Sequence, residues 1–328
     1  MAEASIPVDL FNPGQVFACL GFMEAAEILL SNVEGGFDWS KGSGASFFLC
    51  AAGKLNPFEI VLEFLAEADL KCWGPVGYVD PPPQKGGGDD EDVESDDGVD
   101  EMAAAGGASS LGLSIFFPAK AGDRMALPIR LVGKNGPVAD LGHWADGSSR
   151  ENFKLYAGNR SADAIARAML MGVRSKPTKK QKTNQQLGDL KTKGLRQLWE
   201  DDRTTLIKTP FDVLTPMGGS FNFDPRGAWT AIDAGYSPNE HNHAMEASPV
   251  VEFLAAWGLE HARPVEFALR QVRYTAWGVA LPPMLARAAL AGALPAIPSR
   301  QFHFELNLSG KNKVVTFAQE EPHDIAHG

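Results

Sequence analysis

Cysteine is scarce, and what little there is excludes two classes of protein at once. Cys19, Cys50 and Cys72 are odd in number, widely spaced and set among apolar neighbours. They fit neither a disulfide framework nor a zinc site and read as reduced core thiols. Long apolar runs are missing as well: none approaches the roughly 18 residues a membrane span needs. Met1 to Leu10 lacks a basic segment followed by an apolar core, so no secretory signal is expected and the chain reads as cytoplasmic, with no membrane partner.

The signatures of catalysis are equally thin. There is no phosphate-binding G-x-x-x-x-G-K-[ST], no G-x-S-x-G nucleophile elbow and no His-Glu-x-x-His pair. His241-Asn242-His243, with Glu240 before and Glu246 after, is the one arrangement suited to a metal. It offers two histidines where zinc takes three or four protein ligands, and spacing fixes no third. Asp224 and Asp233 are candidates for an acid pair, yet nothing supplies a nucleophile or a substrate pocket. These absences point to a binding subunit rather than an enzyme, with no catalytic residue, cofactor or metal expected.

What is present is enough for a sizeable core. The 328 residues are 44% apolar and 22% charged, ordinary for a soluble globular chain of two domains, or of one with large insertions. The net charge of −11 is unevenly placed. Asp89 to Glu101 holds nine acids and no base, so the rest of the chain carries only −2. Arg174 to Arg196 holds eight bases against the single acid Asp189, a local balance of +7. That polarity says more about partners than the total does.

Along the chain, Asn12-Pro13-Gly14 makes a turn. The apolar residues Val16, Leu20, Met23, Ala26, Ile28 and Leu30 then predict a helix running to Gly35-Gly36. Ala45 to Ala51 reads as a buried strand. Asn56 caps and Pro57 opens a second helix through Ile60, Leu62, Phe64 and Leu65. After Gly74 to Tyr78 come three prolines, three glycines and the acidic run, too polar to offset their ordering entropy. Strands are expected at Leu111 to Phe117 and Leu127 to Leu131, a polar loop at Trp144 to Asn152, and a helix capped by Ser161 with Ala164, Ile165, Ala168, Met169 and Met171 on one face. The free amides behind Ser161 are a candidate anion site.

The basic segment reads as a flexible loop followed by a helix from Leu187 to Trp199. Ser248-Pro249 caps a helix through Trp257 to Gly258, Val265 to Ala280 reads as two strands with a bulge or tight turn, and Pro282-Pro283 starts a helix closed by Gly292. A hairpin of Gln301 to Leu308 and Lys313 to Phe317 ends the fold. The expected division is 1–80, an N-terminal α/β part; 81–110, a disordered acidic linker; 111–173, a continuation of the first domain; 174–197, the basic flexible segment; 198–318, a C-terminal α+β part; and 319–328, a frayed tail. The fold class is α+β, with mixed sheets, helices and a disordered acidic insertion, because helices and strands do not alternate regularly.

Between these parts, Phe221 to Glu240 packs aromatic anchors, acids and an arginine around Pro225, Gly227, Gly235 and Pro238 with little periodicity. It reads as a structured loop, with Arg226 clasping Asp224 or Asp233 through bidentate charge-assisted bonds. The loop serves assembly, faces nucleic acid or is purely structural.

Several stretches together resemble a known family. They are Asn12 to Gly21 (NPGQVFACLG), Trp144 to Ser161 with its AGNRS ending, Phe221 to Glu240, Pro249 to Leu259 with Arg263-Pro264, and Tyr274 to Pro282 (YTAWGVALP). In order and wording they are similar to the large-subunit type of protein of type I-G (formerly I-U) CRISPR systems, over most of the chain outside the acidic and basic segments. The resemblance implies a non-catalytic subunit of a Cascade-type ribonucleoprotein. Such a subunit surveys double-stranded DNA for a protospacer-adjacent motif, helps open the duplex and presents the complex to a separate helicase-nuclease. Its implied partners are the other Cascade subunits, guide RNA, target double-stranded DNA and the helicase-nuclease.

The resemblance assigns no motif-reading residues, so the candidates come from chemistry. Lys176, Lys179, Lys180, Lys182, Lys191, Lys193 and Arg196 suit phosphate, and Asn159, Arg160, Asn222, Arg226 and Asn239 suit base edges. Two other readings stand beside this one. One is a metal-dependent nuclease using His241, His243 and Asp233. The other is an interaction scaffold whose acidic segment docks a basic partner or mimics DNA.

Overall fold

The computed structural model describes residues 1–40, 42, 44–72, 127–134, 136–143, 162–184, 186–217, 220–227, 245–309 and 312–322. The acidic linker, the strand expected at Leu111 to Phe117, the loop expected at Trp144 to Asn152, the Ser161 cap and residues 228–240 of the central stretch lie outside these residues. Among the described residues, seven helices and a set of small sheets make the fold α+β, and every ladder there is antiparallel.

Proline punctuates the helices. Four of the seven start with proline in the first turn: α1 (Pro13–Leu29), α2 (Pro57–Glu67), α6 (Pro249–His261) and α7 (Pro283–Leu290). Proline lacks only an N–H that the first turn leaves without an intrahelical partner. Asn12, Asn56 and Ser248 accept backbone N–H bonds just before three of them, from Gln15, Phe58 and Val251.

Helices α1 and α6 are the centre of the molecule. Every residue of α1 from Pro13 to Ala26 is buried, as is every residue of α6 from Pro249 to Leu259. A helix apolar on all sides belongs in a core. The two pack at backbone contact because Gly21 and Gly258 leave room, and Gly14 does the same for the central turn. A Cβ on Gly21 would lie 2.0 Å from the Leu254 carbonyl oxygen, one on Gly258 2.3 Å from that of Phe17, and one on Gly14 2.4 Å from that of Phe223.

Sheets and helices wrap this pair. Strand β1 (Ala2–Val8) and β2 (Glu34–Asp38) both run antiparallel to β3 (Ala45–Ala51), which lies between them. With α1 as the crossover, this is a split β-α-β unit. Strand β4 (Asp69–Cys72) joins β5 (Leu127–Val132) and β6 (Val138–His143) in a second sheet. The helix α3 (Ala162–Met171) turns inward with Ile165, Ala166, Met169 and Leu170. In the C-terminal part, β11 (Val265–Ala268) and β12 (Gln271–Trp277) form the expected strand pair with an irregular register, and Arg270 takes φ +60° in the turn. Strand β12 pairs with β13 (Ser299–Ser309), which pairs with β14 (Asn312–Val315). Side chains stitch the halves together: the Tyr274 hydroxyl donates to the Leu10 carbonyl at 2.5 Å, and the Trp277 indole to Gly35 at 2.9 Å.

Several expectations give way. The first helix stops at Leu29, and Gly35-Gly36 lie within β2, where glycine lets the Val279 carbonyl come within 2.3 Å of a would-be Cβ. The tail at Gln319–Glu320 is not frayed but forms β15 on β13, held by the Arg300 guanidinium on both Glu320 oxygens. Nor is the basic segment a flexible loop. Its β7 (Val173–Arg174) and β8 (Leu190–Thr192) pair around a short helix, α4 (Lys179–Thr183). The helix predicted from Leu187 to Trp199 becomes β8 and then α5 (Leu195–Lys208), because Gly194 breaks the run and serves as the N-cap. Inside α5, Asp202 leaves helical geometry and its carboxylate caps Thr205, restarting the helix.

Candidate functional site

The clasp expected at Arg226 is present, and Asp224 is its partner. Two short strands, β9 (Thr215–Pro216) and β10 (Glu246–Ala247), bring the flanks of the central stretch together. Between them Phe221 and Phe223 are fully buried, and a 3-10 turn over Pro225–Gly227 presents the arginine. Arg226 Nε reaches Asp224 Oδ1 at 2.9 Å and Nη2 reaches Oδ2 at 2.7 Å, while Nη2 also donates to the Phe211 carbonyl at 2.8 Å. Asp224 is entirely buried and accepts further bonds from Asn12 Nδ2 at 3.1 Å and the Ser248 amide at 3.1 Å. One carboxylate therefore ties the N-cap residue of α1, the N-cap residue of α6 and the central turn to one point. Gly227 closes the assembly: a Cβ there would meet that of Ala247 at 2.8 Å.

A second buried carboxylate, Glu252 on α6, holds the same turn from below. Its oxygens accept the amides of Phe221 at 2.7 Å, Phe223 at 3.0 Å and Asp224 at 2.8 Å. Burial pushes its pKa up to about 8 and the neighbouring Asp224 adds to the rise, against the three amides, which favour the charged form. A folded-state pKa above the ordinary 4.5 means that the folded chain binds the extra proton. This contribution is therefore full below about pH 4.5 and is lost as pH climbs to about 8, a change on the order of a few kcal/mol. Urea titrations across that window are expected to show a steeper decline for the wild type than for Glu252→Gln.

Sequence reasoning missed Glu252, Asn12 and the Glu24 cluster. The signal was there: Glu252 and Glu24 are acids inside stretches apolar on every side, where an uncompensated charge is too costly to stand alone. Glu24 on α1 is buried and takes both arms of Arg287 from α7 at 2.7 Å each, with His261 Nε2 at 3.9 Å. Burial holds the His261 pKa down, opposed by Glu24 and aided by Arg287.

The basic ribbon is the other candidate. Lys176, Lys179, Lys180, Lys191 and Lys193 are exposed, and Lys193 pairs with Asp201 at 2.7 Å. Hydrogen bonds shape the ribbon: the Ser175 amide donates to the Asp189 carbonyl at 2.8 Å and Gln181 Nε2 to Asp189 Oδ1 at 3.1 Å. Arg196 points elsewhere. Its guanidinium donates to the Ala66 and Ala68 carbonyls at 2.8 and 3.1 Å, capping the end of α2. Asn222 is half-buried at φ +63°, with the Ser220 hydroxyl on its side-chain oxygen. The Lys182 side chain and Asn159, Arg160 and Asn239 lie outside the described residues.

The structure thus separates what the residue chemistry grouped. Arg226 and Asn222 belong to a buried polar network, and the lysines belong to an exposed ribbon. Among the described residues, no three His, Cys, Asp or Glu side chains are placed to hold a metal, and His241, His243 and Asp233 lie outside them. An open groove of about 570 Å³ beside Trp39, Pro298 and Pro322 includes Arg300, whose charge is already matched by Glu320. No helix among the described residues is long and apolar enough to cross a membrane. No protein-family model, curated protein or solved structure matches the chain.

Proposed function

We propose that this chain is a non-catalytic subunit of a type I CRISPR effector ribonucleoprotein, acting in the cytoplasm. In this reading it recognises a protospacer-adjacent motif in double-stranded DNA, aids duplex opening and helps recruit the helicase-nuclease. The order of the resembling stretches supports the family. The observation that carries nucleic-acid contact is the lysine-rich ribbon, which concentrates a local charge of +7 on a folded element of a chain whose net charge is −11. Lysines on such a ribbon position a phosphate backbone without reading bases, the division of labour that guide pairing requires.

Co-expression of the tagged chain with its neighbouring gene products and a guide RNA tests the assignment. Partner subunits and RNA are expected to co-purify; a chain that purifies alone and without RNA overturns it. The ribbon is tested separately by replacing Lys176, Lys179 and Lys180 with alanine. Affinity for any duplex is expected to fall, and the slope of log affinity against log salt to shrink by about 0.9 for each lysine lying on a phosphate. An unchanged slope removes the ribbon from the interface and leaves the subunit assignment standing.

A further inference from the structure

We propose that the Phe221–Asp224 turn is an anion-binding nest which the chain fills with its own Glu252 carboxyl group. Three backbone amides of a four-residue stretch converge on one carboxylate at 2.7 to 3.0 Å. Asn222 between them is left-handed at φ +63°, the backbone inversion that turns successive N–H groups to a common side. This is how a loop binds a carboxylate or phosphate ligand, here supplied by α6 itself.

Asn222's own amide turns away to the Ser220 hydroxyl at 3.2 Å, and its carbonyl accepts from Val315 at 3.2 Å. The ties of the turn include the Glu252 carboxyl group to α6, Asp224 to the two helix N-caps, Arg226 to the Phe211 carbonyl, a backbone bond to β14 and the buried rings of Phe221 and Phe223. Helices α1 and α6 meet through their glycines without it. Losing the carboxylate oxygens should loosen residues 220–227 as a local unit and leave the helix pair closed.

Amide hydrogen exchange on the full chain, wild type and Glu252→Gln, reads this directly. Glutamine keeps the volume but sets an NH2 group against an amide donor. With the glutamine oxygen kept on the amides of Phe223 and Asp224 and its NH2 facing that of Phe221, exchange at Phe221 is expected to speed up by about tenfold or more, the equivalent of a buried donor left without its acceptor. Protection across Pro249–His261 is expected to stay as it was. In Glu252→Ala, formate titrated against chloride at equal ionic strength is expected to raise the thermal midpoint by a few degrees and to leave the wild type unmoved, because a ligand of the folded state alone stabilises by mass action. Exchange that rises uniformly over both segments makes Glu252 a core filler and overturns the nest, as does formate acting no differently from chloride. Should neither variant fold, the wild type decides: amides of Phe221, Phe223 and Asp224 exchanging as fast as exposed loop amides sink the proposal, and protection matching α6 upholds it.

Discussion

Gly21→Ala is expected to cost about 4 kcal/mol or more, at the far end of what single substitutions do, and to leave little folded protein at ordinary temperatures. The added methyl would sit 2.0 Å from the Leu254 carbonyl oxygen and 2.8 Å from its carbon. Both are backbone atoms of a buried helix, so no side chain can swing aside. Relief requires α1 and α6 to move apart, which strips packing from two helices buried on every face at once. Gly53→Ala is the control. Gly53 stands at φ +109° with nothing within 4 Å of its would-be Cβ, so only backbone strain of about 1 kcal/mol is expected there. Urea unfolding followed by circular dichroism measures both. Equal losses at the two positions would mean that close helix contact is not what Gly21 provides.

That contact was hidden in the sequence for a physical reason. Helical periodicity marks which residues are apolar, and α1 and α6 are apolar nearly all round, so no stripe told which face meets which neighbour. Elements with punctuation were legible: Asn56-Pro57, Ser248-Pro249, the strand at Ala45 to Ala51 and the strand pair within Val265 to Ala280 all read correctly, because caps and turns act within a few residues. The Arg226 to Asp224 pairing was legible for the same reason, being two residues apart. The partners of Asp224 at Asn12 and Ser248 lie 212 and 24 residues away in sequence, and only tertiary packing brings them together. The ribbon misled because its charge reads as solvation, while its strand pairing depends on Gly188 and Gly172 admitting close backbone neighbours.

Asp224→Ala is the second large loss, expected at about 3–5 kcal/mol, and it decides what Arg226 is for. Arg226 has some exposure, 23% of its side chain, so a guanidinium deprived of its partner can turn toward water. Asn12 and Ser248 are wholly buried, and their donors to Asp224 have no such escape. The cost therefore sits mainly in stranded donors at two helix starts, more than in the ion pair itself. Arg226→Lys sharpens the point: lysine keeps the charge but not the planar fork that spans both Asp224 oxygens and the Phe211 carbonyl. If Arg226 is a clasp, Arg226→Lys lowers the unfolding midpoint, and under the proposed function any motif preference in duplex binding, measured on the fraction that remains folded, is kept. If Arg226 reads bases, preference is lost at a midpoint near that of the wild type. The buried geometry of Asp224, with six donor bonds from Asn12, Arg226 and Ser248 gathered on its two oxygens, favours the first outcome.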